Sequence, residues 1–149
     1  PPASYCPATN TITVDLPALA KMGVRPDEED PDGPALGDNS AYSVLMSRYM
    51  QAIQHEHGGV ALDNATAALR TACLTGVATT KLSKKIEVPD GNTIELTAGD
   101  VDEAVSGILT NGLVASDVNG ESVPSGFSRI DAFRVGVLGD QERCFKRFD

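Results

Sequence analysis

The sequence predicts a single α+β domain, mainly helical, and three observations carry that reading. Residues 9–16 alternate Ile12, Val14 and Leu16 against Thr11, Thr13 and Asp15, the period of a half-buried strand. Longer stretches elsewhere repeat apolar residues at helical spacing. The 149 residues contain no internal repeat and no low-complexity linker, so one unit over 1–149 is expected.

Taken in order, residues 1–6 form an entry segment and 9–16 the strand. Pro17 suits a first helical position, which predicts a short helical turn over 17–22. The next stretch, RPDEEDPDGPAL over 25–36, is dense in Pro, Gly and acids and reads as a loop. Asp27, Glu28, Glu29, Asp30 and Asp32 lack the alternate ligands, central Gly and distal Glu of an EF-hand, so a solvated acidic loop is expected. Residues 37–59 form a long helix, with Asp38 or Asn39 as cap and Gly58-Gly59 as stop. Tyr42, Leu45, Met46, Tyr49 and Ile53 give it an apolar face, and no acid occurs from Asn39 to His55.

A second helix is expected over 62–80, capped by Asp63. Its face of Ala65, Leu69, Ala72, Cys73, Gly76 and Val77 is narrow enough for close helix packing. KKIEVPDGNTIEL, over 84–96, reads as a hairpin around Pro89-Asp90-Gly91-Asn92. Thr97 to Asp100 then fits a capping box for a helix carrying Val101, Ala104, Val105, Ile108 and Leu109. Residues 112–125 read as a polar loop. A last helical region over 126–137 uses Phe127, Ile130 and Phe133, and 141–148 is a terminal turn.

The net charge of −9 argues against nucleic-acid binding, which needs clustered Lys and Arg, and against an anionic membrane surface. No apolar run approaches the roughly 20 residues that span a bilayer. The chain starts at Pro1 rather than Met, which predicts a processed or truncated product from which an upstream signal peptide or anchor helix has been removed. Three cysteines are too few for a disulfide scaffold and lack zinc-ribbon spacing.

Several stretches together resemble one family, the bacterial neutral zinc metallopeptidases, whose usual members are membrane-anchored and extracytoplasmic. YCPATNTITVDL over 5–16 is similar to that family's opening motif. Residues 37–54 resemble its first helix, and LRTACLTGV over 69–77 resembles its second, where L-Q-A-D-C-x-A-G-V is usual. GDVDEAVSGI over 99–108 resembles its Gly-Asp-Leu-Glu-Glu-Ala helix. SRIDAFRVG over 128–136 and the Cys144…Phe148 pair resemble its C-terminal motifs. The resemblance implies a zincin-like fold, a small sheet packed on about four helices. The hairpin near 84–96 would be an insertion, and the fullest N-terminal strand would be missing or truncated at Pro1.

The family's chemistry rests on HExxH, in which two His at i and i+4 share a helix face and hold zinc while the Glu activates a bound water. Here Ser47 and Gln51 stand at the His positions and Arg48 at the Glu position. The second helix normally supplies an acidic ligand, and the matching positions hold Ala68 and Ala72. Ser and Gln are poor zinc ligands, and Arg48 is a fixed cation. The resemblance therefore implies a catalytically inactive, pseudo-metallopeptidase domain with no metal and no cofactor. It would bind a protein or peptide partner in the cell envelope at the former cleft of Ser47, Arg48 and Gln51, with Arg48 facing an acidic group. A purely structural spacer is a further reading. Cys73 and Cys144 lie where the family also carries Cys, which implies a disulfide between them and leaves Cys6 free or paired outside this chain.

The competing reading is a divergent hydrolase with a relocated metal at His55 and His57. Residues two apart on a helix point about 200° apart, so the two imidazoles converge only if the helix has ended. An exposed helix end is the favoured explanation, since His near a C-terminus also meets the dipole favourably. Ser47 as a hydrolytic nucleophile lacks a His or Lys within a turn. In zincin-like folds a sheet edge takes up substrate as an added strand, and the edge of the 9–16 strand could hold a peptide in that way or be covered by the acidic loop.

Overall fold

A computed structural model describes residues 2–23, 36–82, 86–87, 93–94 and 112–149. It is mainly helical with small antiparallel sheets, compatible with an α+β fold. The chain opens with a hairpin, β1 (Ala3–Cys6) and β2 (Thr11–Val14), paired Ala3 to Val14 and Tyr5 to Ile12. The entry segment is therefore itself a strand. Asn10 closes the turn at φ 49°, a left-handed conformation that Asn tolerates, and its Oδ1 accepts a 2.7 Å hydrogen bond from the Tyr5 hydroxyl. Ala3 and Tyr5 are buried, and Ile12 and Val14 are half-buried. Leu16 falls outside the strand: it opens helix α1 (Leu16–Gly23) and is exposed. Asp15 caps α1, its Oδ1 accepting from the Ala18 N–H.

Helix α2 (Leu36–His57) begins earlier than the sequence suggests, so Asp38 and Asn39 lie within it instead of capping it. Helix α3 (Ala65–Leu82) begins later, and its cap is Asn64, not Asp63: Asn64 Oδ1 accepts from Ala67 N–H at 2.8 Å. Strands β3 (Ile86–Glu87) and β4 (Thr93–Ile94) pair antiparallel inside the expected hairpin. A 3-10 turn (Leu113–Ala115) leads to a bridge between Ser116 and Ser122. Helix α4 (Gly126–Leu138) is capped by Ser125, and α5 (Gln141–Arg147) by Asp140. The acidic loop, its candidate calcium ligands and the helix expected after Thr97 lie outside the described residues.

The small face of α3 does what its composition suggests. A Cβ on Gly136 of α4 would overlap the Cys73 carbonyl oxygen, and one on Gly76 would overlap that of Phe133. The two helices thus meet backbone to backbone. Beside this crossing, Cys73 and Cys144 form a buried disulfide across 71 residues. It packs with Leu74, Val77, Met50, Phe145 and Phe148 and fastens α5 to α3. A second cluster joins Ala3, Val44, Val114 and Phe133. Phe133 is fully buried, whereas Phe127, expected on the same face, is 83% exposed.

Helix α2 departs most from its pattern. Tyr42, Tyr49 and Ile53 of the expected apolar face are exposed, and Leu45 and Met46 are half-buried. The side turned inward carries Ser43, Val44, Ser47, Arg48, Gln51 and Gln54. An inward polar face is tolerated where most of its groups find partners, since an unpaired buried donor or acceptor costs about 1–3 kcal/mol. The partners of Arg48 and Gln51 come largely from segments far away in the sequence.

Candidate functional site

The inward face of α2 contributes to two polar clusters, each built around one arginine. Arg48, only 2% exposed, donates from Nε to the Ala3 carbonyl at 2.9 Å. Its Nη1 faces three acceptors: the Leu113 carbonyl at 3.0 Å, Ser116 Oγ at 2.8 Å and Ser47 Oγ at 3.3 Å. Ser116 Oγ in turn donates to the Leu113 carbonyl, and Ser47 Oγ to the Val44 carbonyl. A planar guanidinium suits this task, because its donors leave in fixed directions toward several carbonyls at once. No carboxylate pairs with Arg48 among the described residues. Burial pulls its pKa down to about 10, so the group keeps its charge at neutral pH.

One turn on, Gln51 Nε2 donates to the Ser116 carbonyl at 3.0 Å. That bond fixes the amide's orientation and leaves Gln51 Oε1 buried without a partner. Gln54 anchors the second cluster, against α3, donating to Thr71 Oγ1 and to the Met50 carbonyl and accepting from Arg70 Nη1. Arg70 donates from Nε to the Phe148 carbonyl at 2.8 Å and so reaches the C-terminus. Burial lowers the pKa of Arg70, and the Asp149 carboxylate partly offsets the shift.

Ser47, Arg48 and Gln51 therefore stand together, as their spacing on α2 requires. Ala68 and Ala72 lie on α3 and are fully buried. The reason these residues are interior rather than on an open cleft wall is the 112–125 segment. Val114, Ala115, Ser116 and Asp117 are buried there, and Leu113 and Ser116 supply the acceptors for Arg48. The sequence reading as a polar loop missed these two, as well as Gln54, Arg70 and Thr71. The run Leu113-Val114-Ala115 was the available cue.

His55 and His57 do not converge. His55 meets Tyr5 edge-on, with ring centroids 6.2 Å apart. His57 stacks on Phe145 at 4.1 Å, and its Nδ1 lies 3.0 Å from the Gly58 carbonyl. Among the described residues, no three His, Cys, Asp or Glu side chains gather as a metal ion requires. No described helix is long and apolar enough to cross a membrane. Cys6 is free and exposed, and hydrogen bonding by Thr9 lowers its thiol pKa.

Arg48 and Gln51 line a cavity of about 70 Å³ between α2, β1 and the turn over 117–120. Among the described residues Asp117 is the carboxylate lining it, and its Oδ1 accepts from the backbone N–H groups of Asn119 and Glu121. The cavity borders β1, so the strand edge nearest the network is not that of β2. No protein-family model matches the chain, and no curated protein or solved structure matches it.

Proposed function

We propose that this chain is a non-catalytic, zincin-like domain related to the neutral zinc metallopeptidases, working outside the cytoplasm and holding a protein or peptide partner. The observation that carries the reading is Arg48. The resemblance assigns its position to the general base, and its guanidinium is fastened to Ala3, Leu113 and Ser116 inside the protein. A metal ion held by the neighbouring Ser47 and Gln51 would face that cation. At 4 Å and an effective dielectric near 20 the repulsion is about 4 kcal/mol for each unit of metal charge. The disulfide between Cys73 and Cys144 supports an oxidising compartment, as expected of an extracytoplasmic protein.

The test uses the oxidised protein. After equilibration with zinc and exhaustive dialysis, its metal content is measured by plasma mass spectrometry and its hydrolysis of fluorescent casein is followed. The expected result is substoichiometric zinc and no cleavage. One zinc per chain together with casein turnover would overturn the non-catalytic reading.

A further inference from the structure

The inward side of α2 is accounted for by the polar clusters, and its outward side is not. Tyr42, Tyr49 and Ile53 are between 39% and 53% exposed, and Met46, half-buried, lies among them. At 3.6 residues per turn these four positions fall within about 60° of one another around the helix axis and span about 17 Å. Their 4-3-4 spacing is that of a seam for a second helix, along which the ridges of one helix settle between those of the other. Leu45 lies beside the seam and is also half-buried.

The seam carries no charge. Arg48, the one charged residue between Asn39 and His55, is turned to the opposite side and tied to Ala3, Leu113 and Ser116. A helix face that meets water ordinarily carries charged residues, so a continuous apolar stripe there marks a surface built to be covered. Charge is crowded at its ends instead. Asp38 precedes the seam within α2 and Glu56 follows it, and Asp27, Glu28, Glu29, Asp30 and Asp32 come shortly before the helix in the sequence. Residues 25–57 hold a net −5 of the chain's −9.

We propose that the outward side of α2 docks a basic amphipathic helix of a partner protein, about three turns long, its apolar stripe against Tyr42, Met46, Tyr49 and Ile53 and its Lys or Arg residues beside and beyond that stripe. The apolar spacing selects a helix as the docking element. The charge selects its sign. A second copy of this chain would bring the same −9 and the same acidic ends, and an anionic membrane surface would be repelled in the same way. A helix with cations flanking its stripe gains from both the seam and the acids around it. The inference rests on the partner-binding reading above and names the class of partner. It places the contact on the outward side of α2 rather than at Ser47, Arg48 and Gln51, which are buried.

The experiment is an NMR titration of the isotope-labelled, oxidised protein with three peptides about four turns long, each acetylated and amidated. The first is LKKLLKKLKKLLKK, whose Leu residues repeat the spacing of the stripe on α2. The second has Glu for every Lys, and the third is a shuffled chain of the same Leu and Lys in which no stripe forms. The expected result is saturable shifts centred on the Tyr42, Met46, Tyr49 and Ile53 amides with the Lys peptide at micromolar concentration. The other two should bind about tenfold or more weakly. Tyr49→Ser and Ile53→Ser should each weaken the Lys peptide about tenfold and leave the melting temperature unchanged, since both side chains are exposed. Equal binding of the shuffled peptide would reduce the effect to net charge and overturn the proposal, and equal binding of the Glu peptide would overturn the basic partner. A reversible dimer in sedimentation equilibrium that Ile53→Ser abolishes would put a second copy on this face. Overhauser contacts from Tyr49 or Ile53 to Val101, Val105 or Ile108 in the free protein would put the chain's own segment there. Either result overturns the proposal, as does the absence of any shift. These failures would leave the zinc and casein result standing, so the two readings are separable.

Discussion

Removing the Cys73–Cys144 disulfide gives the most sharply defined prediction. The bridge closes a loop of 71 residues. In the chain-entropy model the constraint on the unfolded chain, −2.1 − 1.5R ln n with n equal to that loop, is about −15 cal/mol/K, or about 4.4 kcal/mol at 25 °C. Unfolding entropy near 2.1 cal/mol/K per residue gives about 0.3 kcal/mol/K for a chain of this length. The expected fall in Tm is therefore about 14 °C. Both sulfurs lie among Leu74, Val77, Met50, Phe145 and Phe148, so a Cys73→Ala/Cys144→Ala protein also loses a little packing. Thermal melts by circular dichroism should be run in a Cys6→Ser background, because the exposed Cys6 thiol can attack the disulfide during heating. The oxidised parent should melt about 14 °C above both the reduced parent and the double alanine variant, and the latter should ignore reductant. A parent that melts within a few degrees with and without reductant would refute the reasoning.

Other expectations follow from single contacts. Gly136→Ala drives a Cβ into the Cys73 carbonyl and should destabilise by about 1–3 kcal/mol in urea titrations, with Gly76→Ala acting in the same direction. Arg48→Lys keeps the charge but loses the planar fork to Ala3, Leu113 and Ser116, and should cost about 2 kcal/mol by the same measurement. Asn64→Ala removes the cap of α3 and should cost about 1 kcal/mol, whereas Asp63→Ala should be close to neutral. Hydrogen bonding by Thr9 lowers the Cys6 pKa and enriches the thiolate below the ordinary thiol midpoint. The pH profile of iodoacetamide alkylation at Cys6 should therefore turn up earlier than that of a free cysteine, and Thr9→Val should move it back.

The elements that were legible in the sequence are those whose local chemistry agrees with their surroundings. Helix α3 carries small residues on one stripe, and that stripe is the side α4 approaches, through Gly76 and Gly136. The stretch around α5 reads as a terminal turn, and it is a helix of two turns. Strand β1 was hidden because Ala3 and Tyr5 give only one step of alternation before Pro7. Helix α2 misled for a different reason. Its hydrophobic period is genuine, yet Tyr42, Tyr49 and Ile53 face outward because the polar residues opposite find partners across the fold. Such partners leave no periodic trace. One trace did exist: an arginine on a helix with no acid from Asn39 to His55 has no i±4 ion pair to make, which points to carbonyl acceptors elsewhere.

The reach of Arg48 sets the order in which the chain can be assembled. Its acceptors lie 45 residues before it and 65 to 68 after it. During synthesis from the N-terminus the first tether is available as soon as α2 forms, but the later ones have yet to emerge. Until then Nη1 has water in place of Leu113 and Ser116, although α2 can already pack on β1 and α3. The guanidinium thus acts as a late latch: a nascent chain that stops short of Ser116 leaves it half fastened.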